Sequence, residues 1–314
     1  MKVALWKLQI IQLQKGVYIS GVIIKGNPRI QNETDRWFST FRKIIKTYFI
    51  RPFKNQIVYI HYNLKKTEVK TGKNGEFRLR LDDELIGDIR VSKEENGPAI
   101  PLLQDYPVRF NEMHTKYLVI TDIDDTILHS YGTNSVKKLR NLLFRPPIKR
   151  KRIEASFQAF TKLRSSHFHF IYLSRSEYNL FNLISTFIME NSLPVGPILL
   201  RKLTRWKKLF FQKGKYEFKF DILDELIRNF PHNKIVFFGD DSQYDLDTYV
   251  HFAKLFPSTI LKIFIHRTKG EGSKKEAKWN IDEAYIKDKV YFYNEFNQIE
   301  EQINTIVNEA TTSG

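Results

Sequence analysis

The 314-residue chain has no cysteine. Disulfides, thiolate catalysis and sulfur-ligated metal sites are therefore excluded, although the absence does not fix a compartment. Acidic residues are also scarce: 35 Asp and Glu stand against 51 Lys and Arg, a formal net charge of +16. Such a surplus suits polyanionic partners, namely an anionic membrane surface, phosphorylated substrates or nucleic acid. A merely solvated basic surface has the same composition. Long apolar runs are missing too. No stretch approaches the about 20 apolar residues of a membrane-crossing helix. Lys7, Gln9, Gln12 and Gln14 interrupt the N-terminal MKVALWKLQIIQLQKG too often for a signal-peptide core. A soluble, cytoplasmic protein is expected, and there is no internal repeat.

What is present fills a core. Hydrophobic residues make up 42% of the chain and aromatics 14%, and the length suggests about two domains. Residues 1–105 read as a small β-sandwich-like domain carrying one helix. KLQIIQLQ and VYISGVIIKG are strands around Gly16, and NQIVYIHYNL is another. TEVKTGKNGEFRLRL has two alternating runs around Gly72 and Gly75, a hairpin signal, and ELIGDIRVS adds a further strand. Between them, Trp37, Phe38, Phe41, Ile44, Ile45, Tyr48 and Phe49 fall at helical spacing behind Thr34 as N-cap. That stripe is a packing face, or, with Arg42, Lys43 and Lys46 opposite, a face dipping into a membrane. Pro98, Pro101 and Pro107 mark a linker. His61 reads as structural.

Residues 106–314 alternate buried strands with amphipathic runs, the pattern of βαβ units in a doubly wound parallel sheet. The strands are YLVIT from Tyr117, HFHFIYLS, KIVFFG from Lys234 and TILKIFI from Thr259. A terminal helix is expected at about 295–308.

The chemistry concentrates at strand ends. Tyr117 runs through an apolar stretch into Asp122-Ile-Asp124-Asp125-Thr126. Ligands in such sheets sit outside the carboxyl ends of the strands. Carboxylates crowded there call for a cation, and a hard divalent ion such as Mg²⁺ is the usual answer. An acidic turn after a strand is the plainer alternative. With chemistry, Asp122 is a nucleophile able to form an aspartyl-phosphate, Asp124 a general acid and then base, and Thr126 a brace for the loop. Ser174 ends a second strand, where its hydroxyl could hold phosphoryl oxygens. A third strand ends in Gly239-Asp240-Asp241-Ser242 and then Asp245. Asp240 is a natural Mg²⁺ ligand, Asp245 a further or water-mediated one, and Asp241 a ligand or an electrostatic bystander; Asp245 or Ser242 could also cap the next helix. Lys219 opens the helix before that strand and could offset the charge, with Lys213 and Lys215 as neighbours able to do the same.

The motif DxDxT resembles the haloacid-dehalogenase-like phosphotransferases. The order YLVITDIDDTI, FHFIYLSRSEYNL, LPVGPILLRK, KFDILDELIRNFP, KIVFFGDDSQYDLDTY, FPSTILKIFIHR is similar to the phosphatidate phosphatase family typified by the yeast actin-patch enzyme, over roughly 115–268 and more loosely over 1–105. The resemblance implies Mg²⁺-dependent conversion of phosphatidate to diacylglycerol. It implies Asp122 as nucleophile, Asp124 as acid and base, Ser174 on the phosphoryl group and Asp240 on the metal. Lys219, at the family's motif lysine before Pro231, would stabilise the charge. The chain departs from the family at Leu128-His129, at Ser174-Arg175-Ser176-Glu177 and at Asp240-Asp241-Ser242, without removing a group the phosphoryl step needs. Arg175 and His129 are candidate substrate contacts.

A small basic cap insert is expected at about 129–153. Lys137 to Arg152, KKLRNLLFRPPIKRKR, has no acid. It suits an anionic phosphate on a lipid at a membrane surface, with charge for the headgroup and apolar residues for the acyl boundary. A solvated loop, or a groove for a nucleic-acid backbone, has the same composition, and nucleic acid is the less expected partner. The alternatives are the same phosphoryl chemistry on a non-lipid phosphoester, or a non-catalytic module binding a membrane or polyanion.

Overall fold

A computed structural model describes residues 2–13, 15–26, 51–111, 116–129, 151–201, 217–241, 244–268 and 284–312. The aromatic helix expected at 34–49, most of the basic insert, Lys213, Lys215 and Ser242 lie outside the described residues. The chain divides into two compact units. One takes in Met1–His114, Glu177–Ser185 and Arg201–Phe211; the other takes in Thr115–Ser176, Thr186–Leu200 and Gln212–Gly314.

The first unit is built from β1 (Val3–Gln12), β2 (Val17–Lys25), β3 (Arg51–Pro52), β4 (Ile57–Tyr62), β5 (Lys65–Lys70), β6 (Glu76–Leu81), β7 (Arg90–Ser92) and β8 (Arg109–Phe110). One sheet has the order β3-β2-β1-β8 with β6 also on β2, and the other has the order β5-β4-β7. Residues of both sheets, among them Leu8, Ile10, Ile19, Val58, Ile60, Phe77 and Val91, share one buried core. β1 is buried almost throughout, which a strict two-residue alternation in VALWKLQI would not allow. A register shift between Leu5 and Lys7 re-phases the strand. Leu8 and Ile10 thereby stay with the core set of Val3 and Leu5, and Lys7 and Gln9 alternate with them.

The sequence places a hairpin at Gly72–Gly75, and the structure corrects it. β5 pairs with β4, whereas β6 pairs with β2 in the other sheet, so this tight turn is a crossing between sheets. The hairpin lies earlier, at Asn63 and Leu64, whose φ of 46° and 61° belong to a two-residue turn of the kind that favours Asn-Gly. Leu in the second place hides the signal. The proline-rich stretch is likewise no free linker. Leu5 N–H donates to the Pro101 carbonyl (2.8 Å), Leu103 N–H to that of Leu5 (2.8 Å), and β8 pairs in parallel with β1. Prolines are tolerated on such an edge because it needs few of their missing donors.

The second unit carries the expected α/β architecture. Its strands are β9 (Tyr117–Thr121), β10 (His169–Glu177), β11 (Ile198–Arg201), β12 (Lys234–Asp240), β13 (Ile260–His266) and β14 (Val290–Tyr293). Among the described residues from β9 onward, the helices are α1 (Glu154–Ser165), α2 (Phe181–Glu190, whose first half is counted in the first unit), α3 (Glu217–Asn229), α4 (Asp245–Leu255), α5 (Ala284–Lys287) and α6 (Glu300–Thr312). Strand order is β11-β10-β9-β12-β13-β14. β9 with β10, β9 with β12, β12 with β13 and β13 with β14 all run parallel. From β9 the chain winds outward through β10 and β11, then returns to the other side of β9 with β12. The order reverses there, and the ends of β9 and β12 flank the switch point where open α/β sheets bind ligands.

β9 reads as an unbroken apolar run because both its faces are covered. Leu118, Val119 and Ile120 have no exposure, and burying each contributes about 1.5–3 kcal/mol before entropy is set against it. α1 buries Ala155, Ala159 and Leu163 at four-residue spacing, with Ser156 and Phe160 on the adjacent row. Phe160 meets Phe238 of β12 edge to face, centroids 4.9 Å apart. α6 buries Ile303, Ile306 and Ala310. β11 and β14, four residues each at the two sheet edges, are too short to stand out in the sequence.

Candidate active site

The site is assembled at the carboxyl ends of β9, β10 and β12. Asp122 follows β9 directly, and its N–H donates to the Phe238 carbonyl on β12 (2.9 Å). Asp240 is the last residue of β12, and Asp245 is the first of α4. Asp122, Asp240 and Asp245 are all buried, and each offers a carboxylate oxygen within 4.8 Å of the others. Gly239 makes this approach feasible. A Cβ there would lie 2.8 Å from Asp245 Cβ and 2.7 Å from Tyr249 Cε2, so a larger residue would push α4 and Asp245 off the strand end. Asp245 also sits favourably in a helical first turn, where the peptide dipoles favour negative charge.

Lys219 on α3 enters this acid cluster. Its Nζ donates to Asp122 Oδ1 and to Asp245 Oδ1, both at 2.6 Å, and all three side chains are at most 4% exposed. Burial drives the Asp122 carboxyl well above its ordinary value. Lys219 pulls it back, and Asp245, Asp240 and Asp124 push it up again. Burial works to lower the Lys219 ammonium, but Asp122 and Asp245 outweigh it and the net shift is upward. Lys219 is thus a fixed cation, and a single ammonium does not balance three carboxylates. Asp122 Oδ2 and Asp245 Oδ2 are buried and accept no hydrogen bond among the described residues. Three carboxyl groups to one ammonium, oxygen donors only, and orphaned acceptor atoms within one small space form a cluster that could hold a divalent metal ion.

The remaining expected residues are distributed around it. Asp124 is half-buried and its Oδ2 accepts a bond from Ser176 Oγ (3.3 Å). Ser174 is buried on β10, past the register pair Tyr172–Thr121, and its Oγ accepts the Ser176 N–H (3.0 Å). Asp241 Oδ1 is turned to Thr268, accepting from both its N–H (2.9 Å) and its hydroxyl (2.5 Å). Thr126 is wholly buried, and its carbonyl is bonded by Ser156 Oγ (2.5 Å). Arg175 is half-buried and His129 exposed. Partial desolvation of its ring by neighbouring groups lowers the His129 imidazole, Asp125 raises it and Lys151 lowers it, with a net downward shift. Two residues were not singled out from sequence: Ser176, bonded to Asp124, and His266, whose Nδ1 lies 2.7 Å from the Asp125 carbonyl. Ser176 was legible in principle. β10 continues to Glu177, so residues 174 and 176 share a face at two-residue spacing.

Comparison with known proteins adds a likeness in sequence. Residues 117–267 match the family model for "Phosphatidate phosphatase APP1, catalytic domain". The chain is 27% identical over 179 residues to Phosphatidate phosphatase APP1 of Saccharomyces cerevisiae, covering 57% of this chain and 30% of that protein. It is 28% identical over 151 residues to an uncharacterized protein of Schizosaccharomyces pombe, covering 47% of this chain and 24% of the relative. The chain thus spans less than a third of the length of these curated relatives. Among solved structures it is similar to D,D-heptose 1,7-bisphosphate phosphatase from Burkholderia thailandensis, at 13% identity and a TM-score of 0.30, covering 60% of this chain and 97% of that one. The fold assignment rests on the sheet order and pairing described above. Over residues 117–267, the chain is similar to the APP1 phosphatidate phosphatase catalytic domain.

Proposed function

We propose that the chain is a Mg²⁺-dependent phosphatase that hydrolyses a phosphate monoester, with phosphatidate as substrate and diacylglycerol as product. One observation carries this reading: Asp122, Asp240 and Asp245 converge within 4.8 Å, with Lys219 held 2.6 Å from two of them. The hard, oxygen-only donor set suits Mg²⁺. Bound there, the ion would neutralise charge on the oxygens of the transferred phosphoryl group.

The chain's own residues carry the steps. An Asp122 carboxylate oxygen attacks phosphorus, the bond from phosphorus to the glycerol oxygen breaks, and an aspartyl-phosphate forms. Asp124 gives its proton to the leaving oxygen. As a carboxylate it then takes a proton from water, whose oxygen attacks phosphorus, releasing inorganic phosphate and restoring Asp122. Its half-buried place and its bond from Ser176 suit a group that is oriented yet exchanges protons with solvent. Ser174 and Lys219 bind phosphoryl oxygens. Asp240 and Asp245 hold the metal with Asp122, while Asp124 and Asp241 stand at its margin. Thr126 braces the turn, and Arg175 and His129 meet the substrate.

Phosphatidate is favoured by the family match over residues 117–267 and by the basic, Leu- and Phe-containing composition of Lys137 to Arg152. Among the described residues no helix is long and apolar enough to cross a membrane, so action on a bilayer lipid would be peripheral. The test is Mg²⁺-dependent phosphate release from phosphatidate in mixed micelles, beside short soluble phosphate esters and 3′-phosphorylated oligonucleotides. Release from phosphatidate alone supports the reading. Release only from soluble esters or oligonucleotides removes the lipid assignment and keeps the phosphatase. No release from any substrate overturns the enzyme.

A further inference from the structure

The turn that carries Asp124 is irregular backbone. Asp125 adopts φ of 58°, the left-handed region, which Asp tolerates at some cost. Its N–H donates to the Leu128 carbonyl (2.8 Å), and the N–H groups of Ile127 and Leu128 both reach the Ile123 carbonyl (3.1 and 3.2 Å). These bonds close the turn on itself. Two successive carbonyls, those of Asp125 and Thr126, are instead held from elsewhere.

The first is held by His266, the last residue of β13, whose Nδ1 is 2.7 Å from the Asp125 oxygen. A carbonyl only accepts, so Nδ1 carries the proton and the tautomer follows. The second is held through Ser156 on α1, whose Oγ donates to the Thr126 oxygen (2.5 Å). That uses the only hydroxyl proton of Ser156, so the 2.7 Å contact with Tyr293 Oη is donated by Tyr293. His266 and Tyr293 are register partners on β13 and β14, with ring centroids 5.5 Å apart. Both side chains are buried. Two adjacent strand ends thus each secure one of two adjacent carbonyls in the acid-bearing turn. Tyr293 lies beyond residue 267, where the family match ends.

We propose that His266, and Tyr293 acting through Ser156, are positioning residues that clamp the Asp122–Leu128 turn and so fix Asp124 relative to Asp122. This rests on the phosphatase reading for its catalytic consequence, though not for the clamp itself. The effect belongs to kcat: misplacing a reacting group by about 1 Å can cost on the order of a hundredfold, whereas neither buried side chain is among the residues assigned to contact the substrate.

The test uses the full chain with Mg²⁺ and three variants: His266→Leu, His266→Asn and Tyr293→Phe. Asn keeps an N–H donor near the place of Nδ1; Leu and Phe remove their donors. Phosphate release is measured as kcat and KM, and amide hydrogen exchange is followed at residues 123–128. His266→Leu and Tyr293→Phe should lower kcat by about 10–100-fold, leave KM within about twofold and accelerate exchange in the turn. His266→Asn should restore both. Unchanged kcat in His266→Leu and Tyr293→Phe overturns the proposal, as does a His266→Asn variant as slow as His266→Leu. If the wild-type chain releases phosphate from no substrate, the phosphatase reading fails and exchange alone decides. Acceleration reversed by Asn then supports the clamp, and unchanged exchange overturns it.

Discussion

Lys219 Nζ stands 2.6 Å from Asp122 Oδ1 and 2.6 Å from Asp245 Oδ1, a buried cation shared by two of three clustered acids. Removing one partner of a buried ion pair leaves charge with no solvent to stabilise it, at a cost of about 3–5 kcal/mol. Lys219→Met should therefore lower the urea midpoint markedly in the absence of divalent ions. Added Mg²⁺ should recover more stability in the variant than in the wild type, because the uncompensated acids are then neutralised. Equal Mg²⁺ effects on the two proteins would contradict the shared-cluster account.

The approach of Asp245 to the strand end depends on Gly239. A Cβ would lie within 3 Å of both Asp245 Cβ and Tyr249 Cε2. Overpacking of this kind costs about 1–3 kcal/mol, and here it also displaces an acid of the candidate metal site. Gly239→Ala should retain the fold and require at least about tenfold more Mg²⁺ for half-maximal activity, the scale seen when groups supporting a metal are disturbed. A Mg²⁺ titration identical to wild type would show that Asp245 does not depend on this contact.

Lys7 is a separate pH-sensitive group in the first unit. Burial, with a smaller contribution from Arg78, lowers its ammonium to about 7. The unfolded chain holds that proton up to the ordinary lysine range. Between about pH 7 and 10.5 the unfolded state therefore binds more protons, and stability rises with pH across that window. Lys7→Met should be more stable than wild type at pH 7 and show a flatter midpoint-against-pH curve above it. Parallel curves for the two proteins would contradict the assignment.

Much of the second unit was legible because its strands are buried on both faces. YLVIT, FIYLS, KIVFFG and ILKIFI are apolar runs that local pattern alone can mark. The polar site residues follow those runs at strand ends, which is why Asp122, Ser174 and Asp240 could be named together. Side-chain direction could not be read the same way. Asp241 is adjacent to Asp240 yet turned to Thr268, because successive residues at a strand end point apart. Lys219 could be separated from Lys213 and Lys215 only through family resemblance, since three nearby lysines look alike until the helix is placed. His266 gave no signal, because its role depends on meeting a carbonyl 141 residues away in sequence. In the first unit, Asn63-Leu64 concealed a hairpin that Asn-Gly would have announced, while Gly72–Gly75 imitated one.

If Asp122 is the nucleophile of a Mg²⁺-dependent phosphatase, phosphate release must depend on its carboxylate, and the comparison to make is Asp122→Asn beside the wild-type chain. The amide preserves size while removing the attacking charge. Wild type should release phosphate from phosphatidate only with Mg²⁺, and Asp122→Asn should fall by at least about a thousandfold, as expected when a covalent nucleophile is lost. Phosphate release by Asp122→Asn at the wild-type rate would contradict the account.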